Sequence, residues 1–389
     1  MPIIYMDNNA TTRVHNSVIR YMIPFMNEIY GNCSSSHGFG KRCKRYLEHA
    51  RKKIAKSLKV MPQEIIFCSG ATEANNNCLR GVFAANKHRG KHIIVTGIEH
   101  ASILKTCEDL KKRHRAKITY IPVDKHGFVT YKSVIKCVKP DTIMCIIMSE
   151  NNEIGTRQKP SILKKIGNYC QQNNIHFHCD ATQTIGHRLF YPKKLNIGSL
   201  VFSSHKFHGP RGIGCLFIDS KSSIIPCCST GGMQEWGKRA GTENLAAIMG
   251  MMYALNMNLE KNRLQHTQIK ILRMRKFMKE YLCDHIDNII INGPTNQKLC
   301  KFNTLSICLP NINSRKLLPY LDKFNIYVNI GSACSRGKRS HVLKACGILE
   351  EYERGLLRIS LSEYNTMKEC KFVCKILCKL YSKYRGKIL

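Results

Sequence analysis

With 389 residues, 43% of them hydrophobic, the chain is too long for one small domain and too apolar to be disordered. Its formal charge of +36, from 62 Lys and Arg against 26 Asp and Glu, describes a surface that would contact polyanions, RNA included, nonspecifically and in a salt-dependent way. No apolar run has membrane-spanning length, no secretory signal is readable, and the first motif, at Tyr5, would leave no room for a transit peptide; a cytoplasmic protein without membrane contact is expected.

From the N-terminus, short apolar runs alternate with longer amphipathic stretches, the pattern of parallel strands joined by helices. Strands are expected at 65–68, 92–96, 118–122, 142–148, 175–179, 200–203 and 214–218, with helices such as 74–85, 103–114 and 161–173 between them. Past residue 255 the character changes. One long polar helix over 256–283 is expected, then short strands near 289–291, 305–308 and 327–330, and a basic amphipathic helix at the end. The fold class is therefore α/β: a large domain over 12–255 with a mostly parallel seven-stranded sheet flanked by helices, plus a smaller α+β domain over 256–389. Residues 1–11 are expected to pack back on the smaller domain.

The twenty cysteines, in a long chain without a signal, point to reduced thiols rather than a disulfide framework. No paired CxxC motifs suggest a structural zinc, and no metal site is expected. His176-Phe177-His178-Cys179 alternates as a strand does. Cys370, Cys374 and Cys378 share a helical face with Val373, Leu377 and Tyr381, which reads as packing.

In an open parallel sheet, ligands gather at the carboxyl ends of the strands. The run Leu200-Val201-Phe202 stops at Ser203-Ser204-His205-Lys206 before a Gly209-Pro210 breaker, which delivers an amine to a site lined by small polar groups. A Schiff-base lysine needs such partial desolvation so that its neutral form is accessible. Ser69-Gly70-Ala71-Thr72 opens a helix with small residues, offering backbone N–H groups and a hydroxyl to a phosphate. His100 lies just past one strand end, Asn152 past another, and Asp180 with Gln183 past a third. A buried Asp at such a place needs a partner, and a protonated pyridine nitrogen is one that keeps the ring an electron sink. The set points to pyridoxal 5'-phosphate.

These segments resemble those of the class V aminotransferase group, within it the NifS/IscS-like cysteine desulfurases, which are pyridoxal-phosphate enzymes of fold type I. The likeness runs from Tyr5-Met6-Asp7-Asn8-Asn9-Ala10-Thr11-Thr12 to Arg358-Ile359-Ser360-Leu361. It passes through Gly31-Asn32-Cys33-Ser34-Ser35-Ser36-His37, Asn151-Asn152-Glu153-Ile154-Gly155, Arg239-Ala240-Gly241-Thr242-Glu243-Asn244 and Gly331-Ser332-Ala333-Cys334. The resemblance implies that Lys206 is the imine-forming lysine and Asp180 the partner of the pyridinium. It implies that His100 stacks on the ring and helps move protons, and that Gln183 lies near the phenolic oxygen. Ala71, Thr72, Ser203 and His205 would hold the phosphate. Thr242 would reach it from a second subunit, implying a homodimer with shared sites.

Asn152 and Arg358 would position the substrate, Arg358 through its carboxylate. Cys334 would attack the substrate thiol and leave as a persulfide. Its glycine-bearing polar segment, with Arg336, Lys338 and Arg339 nearby, suits a mobile thiol held as thiolate. The implied activity turns L-cysteine into L-alanine and hands sulfur to an acceptor protein, an Fe–S scaffold or a tRNA-thiolation enzyme. Two alternatives stand beside it: a selenocysteine lyase or related β-eliminating lyase, and a catalytically idle docking module of a sulfur-transfer complex. The chain departs from the family's usual pattern at Cys33, at Ser204 where glycine is frequent, and in a loop after Cys334 about two residues shorter than in housekeeping bacterial members.

Overall fold

The computed structural model describes residues 2–225, 230–331 and 339–385. After a two-residue strand β1 (Ile4–Tyr5), the apolar runs become β2 (Ile65–Cys68), β3 (His92–Thr96), β4 (Lys117–Ile121), β5 (Thr142–Ile146), β6 (His176–Asp180), β7 (Ser199–Ser203) and β8 (Gly214–Ile218). They form one seven-stranded sheet in the order β2-β8-β7-β6-β5-β3-β4. From β4 to β7 all pairings are parallel, whereas β8 runs antiparallel to both β2 and β7. Parallel neighbours need long crossovers, and helices such as Ala101–His114 between β3 and β4 and Pro160–Gln172 between β5 and β6 supply them. Between β7 and β8 the chain returns directly through 204–213, so Lys206 stands in a hairpin loop between two buried strands.

Except for the edge strand β4, where Lys117 and Tyr120 are exposed, the strands are buried on both faces. On one, Ile65, Phe67, Ile94 and Cys145 pack in a core with the helices Gly38–Leu58 and Leu245–Leu259; on the other, Ile66, Cys68, Ile93 and Val95 pack with Ala71–Asn86 and Ala101–His114. Two-sided burial explains why these strands read as continuous apolar runs.

Further along lie β9 (Ile290–Ile291), β10 (Thr304–Cys308), β11 (Ile326–Tyr327) and β12 (Leu356–Ser360). β12, β10 and β9 make an antiparallel sheet, and β11 pairs in parallel with β1. Ile4 and Met6 sit in a separate core with Met274, Leu305, Ile307, Leu357 and Val373.

One expected element is corrected. The single helix over 256–283 is two, Leu245–Leu259 and Lys261–His285, broken at Glu260, whose extended backbone (φ −58°, ψ 127°) leaves its carboxylate free to accept from the N–H groups of Asn262 and Arg263. That is an N-cap, and the helical periodicity on either side hides it. The closing helix is Met367–Tyr384, with Cys370 and Cys374 buried on its core face. No helix among the described residues is long and apolar enough to cross a membrane, and none of the described cysteines forms a disulfide.

Candidate active site

The ends of β2, β6 and β7, together with the segment after β1, enclose a cavity of about 500 Å³. Lys206 enters it from the β7–β8 hairpin. Its Nζ donates to the carbonyl oxygens of Asn9 at 2.8 Å and Ala10 at 2.7 Å. The chain over 5–12 is itself a strap held at both sides: Thr12 N and Oγ1 donate to His205 O, while Asn9 N donates to Ser360 Oγ.

Asp180 closes β6, nearly buried, with both oxygens engaged. Oδ1 accepts from Thr182 N at 2.9 Å and Oδ2 from Asn75 Nδ2 at 3.0 Å. Asn75 belongs to the helix Ala71–Asn86. Its Nδ2 also donates to Ser102 Oγ, and its Oδ1 accepts from His178 Nε2 at 2.9 Å. His178 and His176 both meet Ser199 Oγ, so the two histidines of the alternating run serve strand packing.

His100 caps the helix Ala101–His114. The backbone N–H of Ser102 donates to its Nδ1, which places any ring proton of the neutral form on Nε2. Burial pulls its pKa below the ordinary value, Asp180 opposes this, and Lys206 and His341 reinforce it. His205 is held at Nδ1 by Thr11 Oγ1 at 3.1 Å. Burial, then Lys206 and Arg211, bring its pKa down to about 4. Both imidazoles are neutral near pH 7.

Gly70 begins the helix Ala71–Asn86 with no side-chain cap. The first N–H groups of that 16-residue helix have no intrahelical acceptor, and Ala71 and Thr72 line the cavity beside Ser203, His205 and Arg211. Close approach matters here: a Cβ on Gly214 would stand 2.7 Å from the Gly70 backbone.

Gln183 and Arg358 also line the cavity. Arg358 is buried on β12; one terminal nitrogen donates to Asp7 Oδ1 at 2.6 Å and the other to Asn152 O at 3.1 Å, leaving Nε without an acceptor. Asn152 shares the lining. Thr242 does not: it is exposed and away from the cavity of its own chain. Cys334 lies outside the described residues. The chain on either side of it is anchored near the site. Asn329 exchanges backbone hydrogen bonds with Arg358 and donates to Asp7, and Ser340 Oγ donates to Glu153 at 2.6 Å.

The donor set fits pyridoxal phosphate. A lysine amine, a fixed carboxylate and an uncapped helix start share one cavity, and two buried polar atoms in its lining, Thr182 Oγ1 and Arg358 Nε, lack partners. Sequence reasoning missed Asn9, Asn75, Arg211 and Lys301. Asn9 stands inside the Tyr5–Thr12 motif, Asn75 three residues past the Ser69–Thr72 turn, and Arg211 directly after the Gly-Pro breaker; Lys301 gave no signal.

The sequence matches the family described as aminotransferase class-V over residues 4–373. The chain belongs to the class-V aminotransferase family. Within that family it is similar to a protein named cysteine desulfurase IscS from Methanosarcina thermophila, 39% identical over 385 residues, covering 98% of this chain and 93% of the relative. A solved NifS-like protein superposes with a TM-score of 0.90 at 36% identity, covering 98% of this chain and all of the other. A second, SspA in complex with cysteine, gives a TM-score of 0.79 at 29% identity, covering 93% of this chain and all of the other. This class-V family is generally pyridoxal-phosphate dependent, and its solved neighbours share the α/β architecture described above.

Proposed function

We propose that this chain is a pyridoxal-phosphate-dependent cysteine desulfurase. The observation that carries the reading is one cavity joining Lys206, Asp180, His100 and an uncapped helix start in a chain 39% identical to a relative of that name. The relatives favour neither the selenocysteine-lyase reading nor the idle docking module.

Lys206 would hold the cofactor's carbonyl carbon, Asp180 its ring nitrogen, and Ala71, Thr72, Ser203 and His205 its phosphate. When bound, pyridoxal phosphate supplies an electron sink for the bond electrons at the substrate's α-carbon. Asn75 and the Thr182 N–H keep the Asp180 carboxylate oriented. His100 stays neutral and has its Nδ1 committed to Ser102, so Nε2 is the atom that holds or moves a proton. Arg358, steadied by Asp7 and Asn152, would meet the substrate carboxylate from the cavity wall. Cys334 forms the new sulfur–sulfur bond: L-cysteine plus the Cys334 thiol gives L-alanine plus the Cys334 persulfide, with atoms and electrons balanced.

The reading extends to a homodimer in which Thr242 completes the partner's phosphate site, to a sulfur-acceptor protein, and to a cytoplasmic location. We also divide the chain at residue 255 into two domains, because each side has a main apolar core of its own, the two sides meeting in a smaller cluster that joins Ile98, Met148 and Ile154 to Val342, Leu343 and Leu356. The deciding assay is cysteine-dependent alanine and persulfide formation. Lys206→Ala should lose the visible absorbance of the loaded protein, and Cys334→Ser should keep that absorbance while losing persulfide. A Cys334→Ser protein that turns over cysteine as fast as wild type would remove that thiol from the reaction.

A further inference from the structure

Lys301 precedes β10 and is 1% exposed. Its amine donates to two neutral amide oxygens, Asn9 Oδ1 at 2.8 Å and Gln183 Oε1 at 2.5 Å. Burying an ammonium against neutral partners is costly, and an apolar side chain of similar length would fill the space without that penalty. Burial pulls its pKa from 10.5 down to about 7. Glu150, past β5, opposes the fall; Lys206 in the β7–β8 hairpin, Arg358 on β12 and Arg188 after β6 add to it. His187, adjacent to Arg188, faces it as well.

The two hydrogen bonds have a directional consequence. With Oε1 of Gln183 turned to Lys301, its Nε2 must face the other way, where it donates to Asn9 O at 3.2 Å beside the cavity. With Oδ1 of Asn9 turned to Lys301, its Nδ2 donates to Asn152 O and Thr304 Oγ1. As an ammonium the Lys301 side chain only donates, so in that form it accepts no flipped amide. The carbonyl of Asn9, set by this arrangement, is also an acceptor for Lys206.

We propose that Lys301 is a positioning residue of the active site, whose buried amine locks the side-chain amides of Gln183 and Asn9 so that Gln183 turns its N–H donors, not its oxygen, toward the cofactor. This rests on the pyridoxal-phosphate reading of the cavity. A donor beside an ionised ring oxygen stabilises that ionised form, and an acceptor there would destabilise it.

The test is Lys301→Met, in the wild-type and in a Gln183→Leu background, with full-length protein loaded with pyridoxal phosphate. The readout is the pH midpoint of the visible absorbance change. Lys301→Met should move the midpoint by roughly half a pH unit or more, and should add nothing once Gln183 is leucine. Cofactor-free protein gives a second readout. The folded amine titrates near 7 and the unfolded one near 10.5, so the unfolded chain holds the extra proton between those values and wild-type stability rises with pH there. Lys301→Met should therefore melt at or above wild type at pH 7, with the difference shrinking toward pH 10. An unmoved midpoint, the same shift in the Gln183→Leu background, or a Lys301→Met protein that fails to fold would each overturn the positioning role. Wild-type protein that develops no visible band with pyridoxal phosphate would instead sink the cofactor reading, and the proposal with it.

Discussion

At the scale of single residues, Asp180 depends on Asn75 more than on any group the sequence offered as its partner. Asn75 is wholly buried and serves three neighbours at once: Asp180, Ser102 and His178. Asn75→Leu would strand the Nε2–H of His178 and remove one of two donors to Asp180. Each stranded buried group costs about 1–3 kcal/mol, so cofactor-free protein should lose about that much in denaturant unfolding and should retain pyridoxal phosphate less tightly. Unchanged stability would mean that Asn75 is not the hub described. Ser204, where glycine is frequent among the proteins this chain resembles, is accommodated by its neighbour. It is fully buried, and its Oγ fills the place where a side chain on Gly209 would stand.

At the scale of elements, the helix Gly38–Leu58 is tied to the 233–237 segment by a buried pair. Arg51 grips both oxygens of Glu235 at 2.7 and 2.8 Å and also donates to Ile65 O, while Glu235 accepts from Phe67 N. The guanidinium lies 4.5 Å from the Trp236 ring and 4.7 Å from Phe67. Arg51→Met would leave the Glu235 carboxylate buried without its cation, a loss of about 3–5 kcal/mol. Thermal melting checks this, and a drop of under a degree would show that the pair carries little.

Much of this layer was legible in the sequence. The inner strands of the large sheet are apolar runs because both faces are covered, and the expected and observed bounds agree closely: 65–68, 92–96 and 214–218 coincide with β2, β3 and β8. Where the chain leaves regular structure, legibility fails for identifiable reasons. Glu260 breaks a helix without Gly or Pro, through its own carboxylate. Arg51 and Lys301 are two basic residues among 62, and nothing in their neighbours marks them as buried, because burial of a cation is decided by distant partners such as Glu235 and Gln183. Lys206 was legible because a strand and a breaker bracket it.

At the scale of the whole molecule, acid should unfold the protein earlier than its charge alone suggests. Burial holds the pKa of His176 near 4 and of His178 near 3, and burial with Lys206 and Arg211 holds His205 near 4, against an ordinary 6.5. His92, His187 and His208 shift the same way. Between about 4 and 6.5 the unfolded chain binds protons that the folded chain refuses, so stability falls as pH drops through that window. Glu99, raised to about 8 by burial, acts oppositely above 4.5 but is one group against several. The melting temperature of cofactor-free protein should fall steeply from pH 6.5 to 4; a flat profile would contradict the buried neutral imidazoles.

The strap over residues 5–12 has a consequence for how the protein comes into being. Asn9 meets Ser360 Oγ, 351 positions away, and Asp7 meets Arg358. A ribosome releases Lys206 and the strap long before β12 exists, so the pocket has its amine early and its arginine last. During synthesis the nascent chain holds a lysine with no finished site around it, and a pocket able to grip the substrate carboxylate has to wait until nearly all of the polypeptide has emerged.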